Sequence, residues 1–262
     1  MTGHITLRNN RLLTHALLWL LIPLLTATLS HATESRTITF RSTDGISLTA
    51  DLYTPHETKT TPLILLFHQA GSSRGEYTDI APRLNKMGFN CIAVDLRSGE
   101  YSRGIDNQTA IQASKAGLPT HYSDALPDVI AALRYAHKNY PNSKIIAWGS
   151  SYSAALVLKV AGDHPELTDT VLAFSPGEYF AHLGKSKTWI QDSAKKIEVP
   201  VFITSSKEEA DSWRIIYDAI PSKTKTGFIP ATAGRHGSRA LWKKYDDSEA
   251  YWQAVTQFLS PE

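Results

Sequence analysis

The residues in this chain best suited to covalent chemistry sit in Trp148-Gly149-Ser150-Ser151-Tyr152-Ser153-Ala154, between an apolar run and a stretch with helical spacing. A serine can be lifted out of the backbone as a nucleophile by a tight strand-to-helix turn. Such a turn strains the serine and demands small residues two positions either side. Gly149 and Ser153 meet that demand for Ser151. The helix starting at Tyr152 would aim its free N–H groups and the positive end of its dipole at an oxyanion. An ordinary Gly/Ser turn is the bland alternative. Two further stretches speak against it. Phe67-His68-Gln69-Ala70-Gly71-Ser72-Ser73 follows an apolar run and offers a loop whose backbone N–H can face the same oxyanion; His68 reads as the residue shaping that loop rather than as a base. Ala233-Gly234-Arg235-His236-Gly237-Ser238 places a histidine between two glycines, where an imidazole, which exchanges its proton near neutrality, can swing toward a serine.

A carboxylate is needed to hold the imidazole tautomer and stabilise the imidazolium. Ser205-Ser206-Lys207-Glu208-Glu209-Ala210-Asp211 offers three, and spacing does not choose among Glu208, Glu209 and Asp211; Glu178 is a fallback one strand earlier. The one cysteine, Cys91, lies inside the apolar stretch Phe89–Val94 and reads as a buried, inert thiol.

These stretches need a frame. Thr37 to Tyr53 alternates around Asp44-Gly45 as a hairpin. Leu63–Phe67 is a continuous apolar run, as expected of a strand buried on both faces. Helical spacing in Ile80, Leu84 and Met87 ends at Gly88. A strand Phe89–Leu96, a long polar loop Arg97–Tyr122 and a helix near Ser123–Asn139 follow. Then come a strand Lys144–Trp148, a helix Tyr152–Gly162, strands Thr170–Phe174 and Val201–Thr204, a helix near Ala210–Ile220, a strand Thr226–Ile229 and a helix Ser248–Leu259. Buried strands alternating with helices predict an α/β fold, a mainly parallel sheet flanked by helices with an antiparallel hairpin at one edge. Sites in such sheets lie beyond the carboxyl ends of the strands, where all three stretches fall.

The first residues read differently. Arg8 and Arg11 precede an apolar stretch from Leu12 to Leu29, and Ser30-His31-Ala32 supplies small residues for cleavage after Ala32. The pattern predicts a secretory signal peptide over 1–32, a single domain over 33–262, and a periplasmic or secreted protein with no stable membrane anchor after cleavage. Pro23 and the shortness of the apolar core oppose a permanent span, and no cysteine follows for lipid attachment. Arg8 and Arg11 are the only charged residues in 1–32, so the 27 Lys+Arg and 25 Asp+Glu of the 262 residues become 25 of each sign beyond it. That balance is no footprint for nucleic acid. One cysteine supports neither an internal disulfide nor a thiolate zinc site. No histidine pair has ligand spacing, so no metal or other cofactor is implied. Oligomeric state is left open.

Taken together, the chain resembles the α/β-hydrolase family, and within it the dienelactone-hydrolase-like esterases. The order matches over nearly all of the chain beyond residue 32: oxyanion loop at His68–Gly71, nucleophile turn at Gly149–Ser153, acid loop at Ser206–Glu209, histidine loop at His236. In the family's Gly-x-x-Asp acid motif, Ser206 falls on the glycine and Glu209 on the acid. The resemblance therefore implies a Ser151–His236–Glu209 triad, with the N–H groups of Tyr152 and Ala70 (or Gln69) as oxyanion hole. It also implies a serine hydrolase acting on small-molecule carboxylic esters. Ser153 replaces the last glycine of the family's turn. Dienelactone hydrolases proper carry cysteine where Ser151 stands, so the scaffold and not the dienelactone substrate is what carries over. Lids in this family follow the strand bearing Phe174; Pro176–Val199 is too short for a large cap. Tyr179, Phe180 and Trp189 line a small pocket or pack a short helix, and Arg97–Tyr122 supplies the opposite wall. A peptidase of the same fold, or a binding protein that kept it, are the alternatives; a peptidase usually carries an extra domain for which there is no room.

Overall fold

The computed structural model describes residues 1–4 and 35–260. The chain divides into two units, Met1–His31 and Ala32–Glu262; the signal-peptide expectation falls, but for its first four residues, outside the described residues. In the second unit the strands are β1 (Arg36–Arg41), β2 (Ser47–Tyr53), β3 (Leu63–Phe67), β4 (Asn90–Val94), β5 (Tyr101–Ser102), β6 (Ile105–Asp106), β7 (Ile145–Ser150), β8 (Thr170–Phe174), β9 (Val201–Thr204) and β10 (Lys225–Phe228). The helices are α1 (Ile80–Lys86), α2 (Gln108–Lys115), α3 (Leu126–Asn139), α4 (Tyr152–Asp163), α5 (Trp189–Ala194), α6 (Ala210–Ala219) and α7 (Ser248–Leu259).

An 8-stranded sheet runs β1-β2-β4-β3-β7-β8-β9-β10. β1–β2 and β2–β4 pair antiparallel and every later pair is parallel. This is the mainly parallel sheet with a leading hairpin that the alternation of patterns predicts. β3, β4 and β7 are buried along their whole length, because side chains alternate between two covered faces. Leu63, Leu65 and Phe67 join Val157, Ile190 and Trp213 of α4, α5 and α6 in one core. Ile64 and Leu66 join Leu84 and Trp252 of α1 and α7 in the other. Among the described residues there is no large cap between β8 and β9.

Arg97–Tyr122 differs from its reading as a polar loop. It holds the small β5–β6 hairpin and α2, which Asn107 caps by accepting from the Ala110 N–H at 2.8 Å. Only Thr109 and Ala113 of α2 are buried, and Thr109 Oγ1 accepts from the β2 amide of Thr49 at 2.9 Å. A helix docked through a threonine and an alanine leaves no apolar periodicity for the sequence to show.

The start of this segment is anchored electrostatically. Arg97, 2% exposed, reaches Asp128 of α3 and Asp44 of the β1–β2 turn, its closest approach to each being 2.6 Å. Removing one partner of a buried pair strands the other charge. Asp128→Ala is expected to lower unfolding free energy by about 3–5 kcal/mol, read from the urea midpoint; a loss under about 1 kcal/mol would show the pair to be dispensable.

Candidate active site

β7 runs straight into α4, and the turn between them confines Ser151 at φ 61°, ψ −122°. That is the left-handed half of backbone space, which non-glycine residues avoid and which persists only where the surroundings enforce it. Here the Ser151 N–H is held by the carbonyl of Phe174 at the end of β8, at 2.7 Å. A Cβ on Gly149 would collide with the backbone of Ser153 and Ala154, so a glycine is obligatory. At the other small position the serine is used: Ser153 Oγ accepts from the Ser150 N–H at 2.9 Å and lies 2.8 Å from the Phe67 carbonyl. Ser153 therefore stitches the turn to the end of β3 where the family's glycine could not.

His236 comes from the loop after β10, between Gly234 and Gly237 at φ 69° and 70°. Its Nε2 lies 2.8 Å from Ser151 Oγ, and its Nδ1 hydrogen-bonds Glu209 Oε1. The other Glu209 oxygen accepts from Ser175 Oγ at 2.9 Å and from the Ser206 N–H at 3.2 Å. Burial pushes the Glu209 carboxyl up. His236 foremost, then Ser175 and Ser206, outweigh it and hold the group at about 2. The acid beside the imidazole is thus a carboxylate throughout the neutral range.

Of the other acids that spacing left open, Glu208 is exposed and Asp211 is exposed beside Arg214. Glu178 accepts from the Ile190 and Gln191 N–H groups at the start of α5. None of the three hydrogen-bonds His236. Ser175 was not visible in the sequence as a site residue. It sits at φ 56°, accepts from the Gly237 N–H at 2.9 Å and so ties the histidine loop to the acid. Its signal was its place directly after a buried strand.

Of the expected oxyanion donors, Tyr152 opens α4, so its N–H has no intrahelical acceptor. The Gln69 N–H is taken by Glu76 Oε2 at 2.9 Å, whereas the Ala70 N–H has no protein acceptor among the described residues. Ala70 is therefore the available donor of the two. His68 is fully buried; its Nε2 accepts from the Leu96 N–H at 2.9 Å, so its Nδ1 donates to the Gln69 carbonyl at 2.8 Å. Burial lowers its pKa, and it shapes the loop as a neutral ring. Cys91 is buried in β4, and burial raises its thiol pKa.

Two cavities lie nearby, one beside Gly71 and one beside His236. One of about 680 Å³ is walled by the 97–122 segment, with Ser98, Tyr101, Ile111, Tyr122 and Gly71. The other, about 470 Å³, borders His236 and gathers Lys207, Arg235 and Arg239 against Glu208. Of the aromatic residues after β8, Phe180 is fully buried, Trp189 packs edge-on against it, and Tyr179 donates to the Ser175 carbonyl at 2.7 Å. They pack a short helix onto the body. Among the described residues no three His, Cys, Asp or Glu side chains cluster as metal ligands, and no helix is long and apolar enough to cross a membrane.

No curated protein matches the chain. Among solved structures, the fold is similar to the esterase Pf2001 of Pyrococcus furiosus (TM-score 0.67, 18% identity, 87% of this chain and 92% of that one). It is similar to a dienelactone hydrolase from Anabaena variabilis (TM-score 0.65, 14% identity, 86% and 96%). It is likewise similar to Est1E from Butyrivibrio proteoclasticus, solved with ferulic acid bound (TM-score 0.64, 16% identity, 85% and 97%). The family model described as alpha/beta hydrolase fold matches residues 62–254, a span that starts just before β3, takes in all three loops and ends within α7, and the chain belongs to that family.

Proposed function

We propose that this chain is an exported serine hydrolase of carboxylic esters, working through an acyl-enzyme on Ser151. The observation that carries the reading is the series Ser151 Oγ, His236 imidazole, Glu209 carboxylate, each hydrogen-bonded to the next. His236 Nε2 takes the Ser151 proton as Oγ attacks the ester carbonyl. The carbonyl π pair becomes an oxyanion, held by the N–H groups of Ala70 and Tyr152; each such donor is worth about 3–4 kcal/mol in comparable sites. Collapse of the intermediate breaks the ester C–O bond, and His236 returns the proton to the departing alcohol. Water, deprotonated by the same imidazole, then releases the acid. Glu209 keeps the ring in the Nδ1–H tautomer that leaves Nε2 free to accept. Export rests on the basic, apolar and small-residue pattern of residues 1–32.

The similar structures named as esterases and as a dienelactone hydrolase support ester chemistry on this scaffold. A fluorophosphonate probe tests the reading: labelling of the wild-type protein and none of Ser151→Ala is expected. Labelling of neither would leave a binding protein. Turnover of peptide anilides in preference to p-nitrophenyl esters would move the activity to peptide bonds.

A further inference from the structure

Glu76 is a fully buried carboxylate that the proposed reaction does not use. It lies in a short 3-10 turn, Arg74–Tyr77, that follows the oxyanion loop. Oε2 accepts from the Gln69 N–H at 2.9 Å, and Oε1 accepts from Ser150 Oγ at 2.7 Å. Ser150 Oγ in turn accepts from the Ser238 N–H at 2.8 Å. Gln69 is next to the oxyanion donor Ala70, Ser150 is next to Ser151, and Ser238 is two residues from His236. A Cβ on Gly237 would fall 2.6 Å from Ser150 Oγ and 2.8 Å from Gln69 Oε1, so the three loops touch around this one carboxylate.

We propose that Glu76 is a positioning residue for the oxyanion donor, fixing the Gln69–Ala70 peptide relative to the nucleophile; the inference rests on the ester-hydrolase reading above. Gln69 is clamped through the peptide on each side of its Cα. Glu76 holds the N–H on one side of the Gln69 Cα, and His68 Nδ1 holds the Gln69 carbonyl on the other. Among the described residues no peptide bond is cis, so the Ala70 N–H points opposite to that carbonyl, and its direction is set once Gln69 is fixed. The second carboxylate oxygen makes Ser150 part of the same rigid unit.

Stability alone is a poor reason to keep such a group. Burying a carboxylate costs free energy that its hydrogen bonds recover only in part, and apolar replacements of buried charges are often neutral or better. Burial pushes the Glu76 carboxyl up from 4.5, against the pull of Gln69, Ser150, Ser72 and Arg239. What the carboxylate does supply is two charge-assisted acceptors of fixed separation; a glutamine keeps one neutral acceptor, and its NH₂ meets Ser150 Oγ only if that hydroxyl turns its own proton away.

The test compares wild type with Glu76→Gln on p-nitrophenyl acetate. It also compares the Ki of an alkyl trifluoromethyl ketone, which Ser151 captures as an oxyanion-bearing hemiketal, with that of the unfluorinated ketone. In the variant kcat/KM is expected to fall about tenfold. The trifluoromethyl ketone should weaken by the same factor while the unfluorinated ketone stays within twofold, because only the developing charge needs the donor. A loss of less than fivefold, or equal weakening of both ketones, overturns the positioning role. If Glu76→Gln does not fold, Ser150→Ala removes one arm only: a loss of about threefold or more in kcat/KM, tracked by the trifluoromethyl ketone, is expected, and no loss overturns the inference. Wild-type protein that hydrolyses no ester overturns the underlying reading and this inference together.

Discussion

Ser151→Ala and His236→Ala are each expected to reduce kcat on an activated ester by about 10⁴-fold or more, with KM little changed. The double variant is expected to be no worse than the poorer single one, because a nucleophile and its base act as one unit. Among the described residues, the neighbouring candidates are no substitute for either. Ser150, adjacent to Ser151, already donates its hydroxyl to Glu76, and its backbone belongs to β7 rather than to the strained turn. Cys91 is buried inside β4 with its thiol pKa raised by burial. His68 is buried behind the oxyanion loop, and both its ring nitrogens are engaged by backbone. Residual turnover from the oxyanion N–H groups and binding should persist above the uncatalysed rate. Single-turnover rates with background hydrolysis subtracted measure this. A His236→Ala protein that keeps more than about a tenth of wild-type kcat would mean that another group takes the Ser151 proton.

How much of this could be seen beforehand depends on whether a feature is local. The five apolar residues of β3 announce a strand buried on both faces, since only a doubly covered sheet tolerates them. Gly149-x-Ser151-x-Ser153 announces its turn because the strain at Ser151 restricts the neighbouring side chains, and Gly234 and Gly237 mark their loop through positive φ. Contacts between distant segments leave no such trace. Ser175 hydrogen-bonds segments 34 and 62 residues away and Glu76 one 74 residues away, and in sequence they are an ordinary serine and an ordinary glutamate. α2 escaped for a related reason: it is held to β2 by a threonine hydroxyl instead of an apolar stripe. The acid stood between the two cases. Its loop was legible, but the choice among Glu208, Glu209 and Asp211 depends on which way a 3-10 turn (Lys207–Glu209) faces. Family resemblance pointed to Glu209, and the fold turns it to His236.

That choice leads to the second large effect. Glu209→Gln is expected to lower kcat by about 10²–10⁴-fold, while Glu208→Gln stays within about twofold, its side chain being exposed and without a hydrogen bond to the imidazole. The loss follows from hydrogen-bond polarity. Glu209 receives donors on both oxygens: His236 Nδ1–H on one, Ser175 and the Ser206 N–H on the other. A glutamine must turn its NH₂ toward one of these sides. Facing Ser206, it sets donor against donor; facing His236, it forces Nδ1 to accept and places the proton on Nε2, where it blocks transfer from Ser151. The same carboxylate links activity to acid stability. Its pKa in the fold is about 2 against an ordinary 4.5, so its stabilising contribution is complete above about pH 4.5 and fades as pH falls toward 2. The uncharged amide of the variant has no such contribution to lose. Urea unfolding at pH 6 and at pH 3 should therefore show the stability gap between wild type and Glu209→Gln narrowing at the lower pH. A gap that stays constant would mean that Glu209 carries no charge-dependent bond to the imidazole, and the kinetic loss would then need another cause.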